Sequence, residues 1–168
     1  MQQPKSKLVF KESQSFRQWW LWAIIASAAV VPVFGIYKQL IVGKSFGDKP
    51  MSDRGLVMTA VVLSVIVLLF VVMKLKTEVS HRGIYFKFSP FHIHKRFYEL
   101  TDIESMKVVK YSPIFDYGGW GVRGFGSNKA FSVKGNKGLK IIFKNGDIRL
   151  IGTQKPDELQ KVIAQIGF

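Results

Sequence analysis

The sequence predicts an α+β membrane protein: a two-helix transmembrane hairpin, then an antiparallel β-barrel or sandwich with a C-terminal capping helix. Three observations carry that class. Two charge-free apolar runs, residues 19–37 and 55–73, dominate the first half of the chain. After Lys76 the apolar period changes from helical to two, the mark of strands with one buried face. An amphipathic segment opening at Pro156 closes the chain.

Each apolar run is about 19 residues, long enough at about 1.5 Å per helical residue to cross a hydrocarbon core of about 30 Å. In lipid a helix satisfies its own backbone hydrogen bonds, so two such runs joined by a short polar connector predict two spans. The divisions that follow are a cytoplasmic N-terminal segment 1–18, a first transmembrane helix 19–42 and a connector 43–54. A second transmembrane helix covers 55–74 and one small β domain covers 75–168. Trp19, Trp20 and Trp22 stand beside Arg17 at the entry to the first span. Indole rings satisfy an apolar body and an N–H donor together in the headgroup layer, so these three are interfacial anchors. Pro32 should bend the first span. Ala26, Ser27, Ala28, Ala29 and Gly35 in that span, and Thr59, Ala60 and Ser64 in the second, let another helix approach closely. Neither apolar run, 19–37 or 55–73, holds a charged residue, which argues against ion-coupled transport by this chain alone.

A net charge of +14 with 48% hydrophobic residues fits a membrane protein with basic water-facing parts rather than a disordered chain. Topology and lipid proximity account for that charge; no dense Lys/Arg helix or zinc-ligand spacing points to nucleic acid. The N-terminal flank carries Lys5, Lys7, Lys11 and Arg17, and Lys74, Lys76, Arg82, Lys87, Lys95 and Arg96 follow the second span. The connector has only Lys38, Lys44, Lys49 and Arg54, so both termini are expected on the cytoplasmic side of the cell (inner) membrane. Ala26-Ser27-Ala28 has the form of a signal-cleavage site, yet the apolar run continues past it, so the first helix is expected to be retained. Gly43-Lys44-Ser45 resembles the end of a phosphate-binding loop but has Lys38 where that motif needs glycine. There is no cysteine, hence no disulfide framework or thiolate chemistry.

In the second half, Ile84, Phe86 and Phe88 alternate with Tyr85 and Lys87, and Met106 and Val108 with Lys107 and Val109. Phe131 and Val133, then Leu139, Ile141 and Phe143, then Ile148 and Leu150 continue the period. Asn145-Gly146 signals a two-residue hairpin, and residues 135–138 the turn before it. Pro156 suits a first helical turn, Asp157 and Glu158 complement the dipole, and Leu159, Val162, Ile163 and Ile166 form one face.

With its strand order, the ending KGLKIIFKNGDIRLIGTQKPDELQKVI and the stretch IESMKVVKYSPIFDYGGWGVR, the chain resembles bacterial pleckstrin-homology-like domains fused to two membrane helices. The likeness covers about 75–168, and DYGGWG is its most specific part. It implies a PH-like, seven-strand bent barrel with a C-terminal helix, in a role of binding or assembly rather than catalysis. Eukaryotic relatives of that fold bind phosphoinositides through basic residues in a loop between early strands. No such cluster transfers here residue by residue.

The best candidate loop is 116–124. Gly119, Gly121 and Gly124 satisfy G-x-G-x-x-G, but a dinucleotide site needs a preceding parallel strand and a following helix. Two readings remain: a twisted hairpin in which Trp120 closes the barrel end, or an exposed Trp120 with Arg123 offered to a partner or membrane surface. Lys74, Lys76 and Arg82 are candidate contacts to anionic lipid. His92 and His94 share one face if they lie on a strand, but with His81 alone to add they make a poor metal site. No nucleophile elbow or carboxylate pair points to catalysis. The expected function is a membrane-anchored, non-enzymatic interaction or scaffold protein without cofactor or metal. The alternatives are an accessory subunit of a membrane enzyme or transporter, and an anionic-lipid headgroup sensor. Expected partners are the bilayer, a second copy or a larger membrane complex, and anionic lipid.

Overall fold

A computed structural model of the protein describes residues 8–168. Lys5 and Lys7, counted above toward orientation, lie outside the described residues. The chain forms two compact units: Arg17–Val72, and the segments on either side of it.

The first unit is a helical hairpin of α1 (Trp19–Ile36) and α2 (Asp53–Val72), α1 continuing through a π-type turn over Tyr37–Ile41. Both helices are long and apolar enough to cross a membrane, and only 11% and 6% of their apolar windows are buried. The apolar side chains therefore point outward, the reverse of a soluble core helix. Where α1 and α2 touch, Gly35 leaves little spare room. A Cβ there would stand 3.0 Å from Leu56 Cδ2 and 3.1 Å from Phe46 Cδ1. Ser27, Thr59 and Ser64 each donate to a carbonyl of the preceding turn, at 2.8, 2.9 and 2.8 Å, so no hydroxyl among these three is left unpaired in apolar surroundings. The second helix starts earlier than the sequence suggests, because Asp53 favours the positive N-terminal dipole and accepts a 2.6 Å bond from Gln39 Nε2. It also ends earlier, since Lys74 already belongs to a strand.

The second unit has two sheets and a helix. The first sheet has the order β1-β2-β3-β4, formed by Leu8–Ser15, Lys74–Ser80, Gly83–Ser89 and Arg96–Glu99. The other sheet has the order β5-β8-β9-β7-β6. Its strands are β5 (Ile103–Lys110), β6 (Gly121–Phe125), β7 (Asn128–Ser132), β8 (Lys137–Phe143) and β9 (Ile148–Gly152). A short helix α3 (Pro113–Tyr117) follows β5, and α4 (Pro156–Gln165) packs against β5 and β1.

Three features correct the sequence-based expectation. Within the expected flank 1–18, Leu8–Ser15 forms β1, an edge strand antiparallel to β2 from Leu8↔Ser80 to Ser15↔Lys74. The helical hairpin is thus inserted between two neighbouring strands. The second sheet is not wholly antiparallel, because β7 pairs parallel to β9 with Ala130 opposite Leu150. His92 and His94 lie in the loop between β3 and β4, not on a strand. Pro90, which cannot donate to a ladder, stands at the end of β3.

The core lies between the sheets. Leu75, Val79, Ile84, Phe86 and Phe88 from one side face Phe131, Val133, Leu139, Ile141 and Ile151 from the other, with Leu159 and Ile163 of α4 completing it. Phe86 and Phe131 meet across the gap at 4.9 Å between centroids, and Tyr98 and Phe143 at 4.8 Å. β1 contributes Phe10 to this side but also buries Glu12 and Gln14. Those polar groups are satisfied by the β9–α4 junction. Glu12 accepts 2.8 Å and 2.7 Å bonds from Thr153 Oγ1 and the Gln154 amide, and Gln14 donates to Gly152 O at 2.7 Å. Side chains, not a ladder, tie β1 to the second sheet.

Candidate functional site

The register of the second sheet brings together lysines far apart in sequence. Lys107 of β5 lies directly opposite Lys140 of β8, and Lys110 opposite Lys137. On the next strand Leu150 stands beside Lys140. Residues 111–117 fold over this outer face. There Tyr111 joins Ala130 and Leu150 in a small second core, and Tyr117 meets the Tyr111 ring edge-on at 6.0 Å. What remains open is a cleft of about 480 Å³ lined by Lys107, Lys110 and Lys140 with Tyr111, Tyr117 and Asn128.

Its electrostatics are one-sided. Like charges directly opposite on paired strands are unfavourable. Among the described residues none of the three lysines has a carboxylate within ion-pair distance. Asp116 lines the same cleft, but its carboxylate already accepts the Ser112 amide at 2.8 Å. Burial raises the Tyr111 phenol above its ordinary pKa, and burial with the nearby Asp116 charge does the same for Tyr117, so both stay protonated donors at neutral pH. The buried Tyr111 hydroxyl has Ser132 as a neighbour but no hydrogen bond of good geometry. Such a set can hold an anion through its lysine cations, since the Tyr117 hydroxyl already donates to Asn128 Oδ1 at 3.4 Å and the Tyr111 hydroxyl is buried.

The predicted glycine–tryptophan loop borders this cleft. Pro113 opens α3 and Gly118, with φ of 70°, closes it by donating to Ile114 O at 2.8 Å. Gly119 and Gly121 follow with φ of 120° and 112°, a backbone that other residues rarely adopt. Trp120 is half-buried, and its indole N–H donates to Gly135 O at 2.9 Å, so the ring tacks the loop to the turn before β8. Arg123 is exposed on β6, with Nε donating to Trp120 O at 3.0 Å. Trp120 is thus held by its indole bond while half-exposed, and Arg123 stands at the surface. No helix follows the three glycines, so the dinucleotide geometry is absent. The largest apolar exposure in this region is elsewhere: Phe115 on α3 and Phe125 at the β6–β7 tip are 92% and 94% exposed.

The other predicted residues divide. Lys74 and Lys76 are exposed at the start of β2, whereas Arg82 sits in the turn at its far end, about 20 Å or more along the strand. Trp19 and Trp20 are exposed at the head of α1 and Trp22 is half-buried. His92 is drawn inward: its Nδ1 accepts the Phe88 amide at 3.3 Å, and its ring lies 5.3 Å from both Phe86 and Phe131. Among the described residues no group of three or more His, Cys, Asp and Glu could hold a metal ion. The lysine cleft carries no local signal in the sequence, since only the strand register assembles it. No protein-family model matches the chain, and no curated protein matches it either.

Proposed function

We propose that this protein is a bilayer-anchored, non-enzymatic interaction module whose β unit is displayed on the cytoplasmic side of the inner membrane. The observation that carries the reading is the helical unit, which turns Val30, Val33, Val62, Val65 and Leu68 outward along two helices of spanning length. Water would oppose that exposure at about 25 cal/mol per Å², and lipid removes the penalty. The pairing of β1 with β2 supports one-sided display, because a hairpin that crosses twice must return its ends to adjacent strands. The pleckstrin-homology-like reading is supported by strand count: β1 to β5, β8 and β9 with α4 are seven strands and a C-terminal helix, with β6–β7 as an insertion. In that reading the connection between the first two strands is the helical hairpin itself. The test is extraction of native membranes with alkaline carbonate, followed by mild crosslinking and identification of what co-purifies. Retention in the pellet with a self-crosslink or a defined larger complex supports the module. Release by carbonate sinks it.

A second reading, recognition of a phosphorylated anion, is favoured by the lysine cleft. Full-length protein in neutral-lipid nanodiscs is expected to bind inositol phosphates with a salt-dependent affinity that Lys140→Gln lowers. Unchanged binding in that variant removes the cleft from consideration.

A further inference from the structure

The loop between β3 and β4, residues 90–95, displays two large apolar side chains: Phe91 is 53% exposed and Ile93 79%. It is a held loop, not a loose one. The His92 amide donates to Phe88 O at 2.8 Å while its ring accepts from the Phe88 amide, and Lys87 Nζ donates to Ile93 O at 2.7 Å. Phe91 rests its ring 5.9 Å from Phe88. The backbone thus turns His92 inward and aims its two neighbours outward.

The register says which end of the sheet this is. Ser15, Lys74 and Ser89 lie in one cross-strand row. The loop therefore leaves from the same end of the sheet as both covalent connections to the apolar helices. Only Met73 separates Val72 from Lys74, a reach of at most about 7 Å. Around this end stand exposed Lys74, Lys76 and Arg96, with Lys87 opposite Lys76. Lys95 is paired with Glu78 at 2.6 Å. Apolar tips inside a cationic collar match an anionic lipid surface: hydrocarbon beneath, phosphate at the rim.

We infer that Phe91 and Ile93 insert into the headgroup–acyl boundary of the bilayer that the helices cross, giving the β unit a third point of attachment. This rests on the membrane reading above. The chain has no cysteine, so a single introduced one can be labelled uniquely. Full-length Ile93→Cys and His81→Cys, the latter in the turn at the opposite end of β2, each carry an environment-sensitive fluorophore in nanodiscs containing anionic lipid. The expected result is strong quenching of the Ile93→Cys label by shallow spin-labelled lipid, with several-fold protection from iodide. His81→Cys should show the reverse. Equal iodide access at both positions overturns the inference. Carbonate extraction of the same proteins separates the two failures: a retained protein with a wet loop refutes only the insertion, and a released protein refutes the membrane reading and the insertion together.

Discussion

The two units of this chain solve opposite problems with the same residue types. In the β unit, Leu75, Val79, Ile84 and Phe88 are completely buried, while in the hairpin Val30, Val62 and Leu68 are mostly exposed. Apolar content alone does not separate them; where the side chains point does. The strands pair inward across two sheets, whereas the two helices bury only Pro32, Gly35 and Leu56. An apolar face turned outward is the observation behind the membrane reading proposed above.

That contrast can be broken from either side. The largest effect is expected from Phe86→Ala, which empties a site that is 1% exposed and touches Phe131 and His92. A loss of about 3–5 kcal/mol is expected for the β unit, enough to threaten a fold of ordinary stability. The matching change Leu68→Ala on α2 should leave β-unit unfolding unmoved, as measured by denaturant titration in micelles. Next comes Glu12→Ala, which strands the buried Thr153 hydroxyl and exposes the Gln154 amide to loss of its partner. About 1–3 kcal/mol should disappear, and amide exchange in β1 should accelerate.

A smaller, pH-dependent effect belongs to His92. Burial first, then the charges of Arg96 and Lys129, lowers its pKa below the ordinary 6.5. The unfolded chain then binds the proton more readily than the folded one, so stability rises with pH across the window. The contribution is complete above about 6.5 and is lost as pH falls toward the lowered folded value. Thermal midpoints of the natural protein should drop on acidification through this range. His92→Asn, which keeps an acceptor for the Phe88 amide, should flatten that slope. The smallest effect is Lys140→Gln. Relieving the like-charge pair with Lys107 should stabilise the sheet by about 0.2–1 kcal/mol while weakening anion binding. A variant that loses stability would show that the lysines are not in conflict.

What was legible in the sequence followed from which signals are local. β3, β8 and α4 announce themselves because their buried positions are apolar at the expected spacing, whereas β9 buries the adjacent Leu150 and Ile151, so Ile151 and not the expected Ile148 is the deeply buried residue. β1 does not announce itself. Its inward row is Phe10, Glu12, Gln14, so polar residues occupy positions that the period-two signal needs to be apolar. They are affordable only because Gly152, Thr153 and Gln154, more than a hundred residues away, satisfy them. β2 is obscured by the lysines that alternate with Leu75 and Thr77, which read as a basic flank. The glycine–tryptophan loop was visible as a motif, yet the cleft beside it was not. Lys107 and Lys140 become neighbours only once the register of β5 and β8 is known.

Insertion of the helices between β1 and β2 also orders events during synthesis. The ribosome releases β1 first, then the whole hairpin, and only afterwards the strand that completes the pair. Until β2 emerges, Phe10, Glu12 and Gln14 have no sheet to join, so the edge strand must wait for the whole hairpin to be made. A fragment beginning at Met73 would lack its edge strand, whereas one in which a short turn replaces Arg17–Val72 would keep it as a simple β-hairpin.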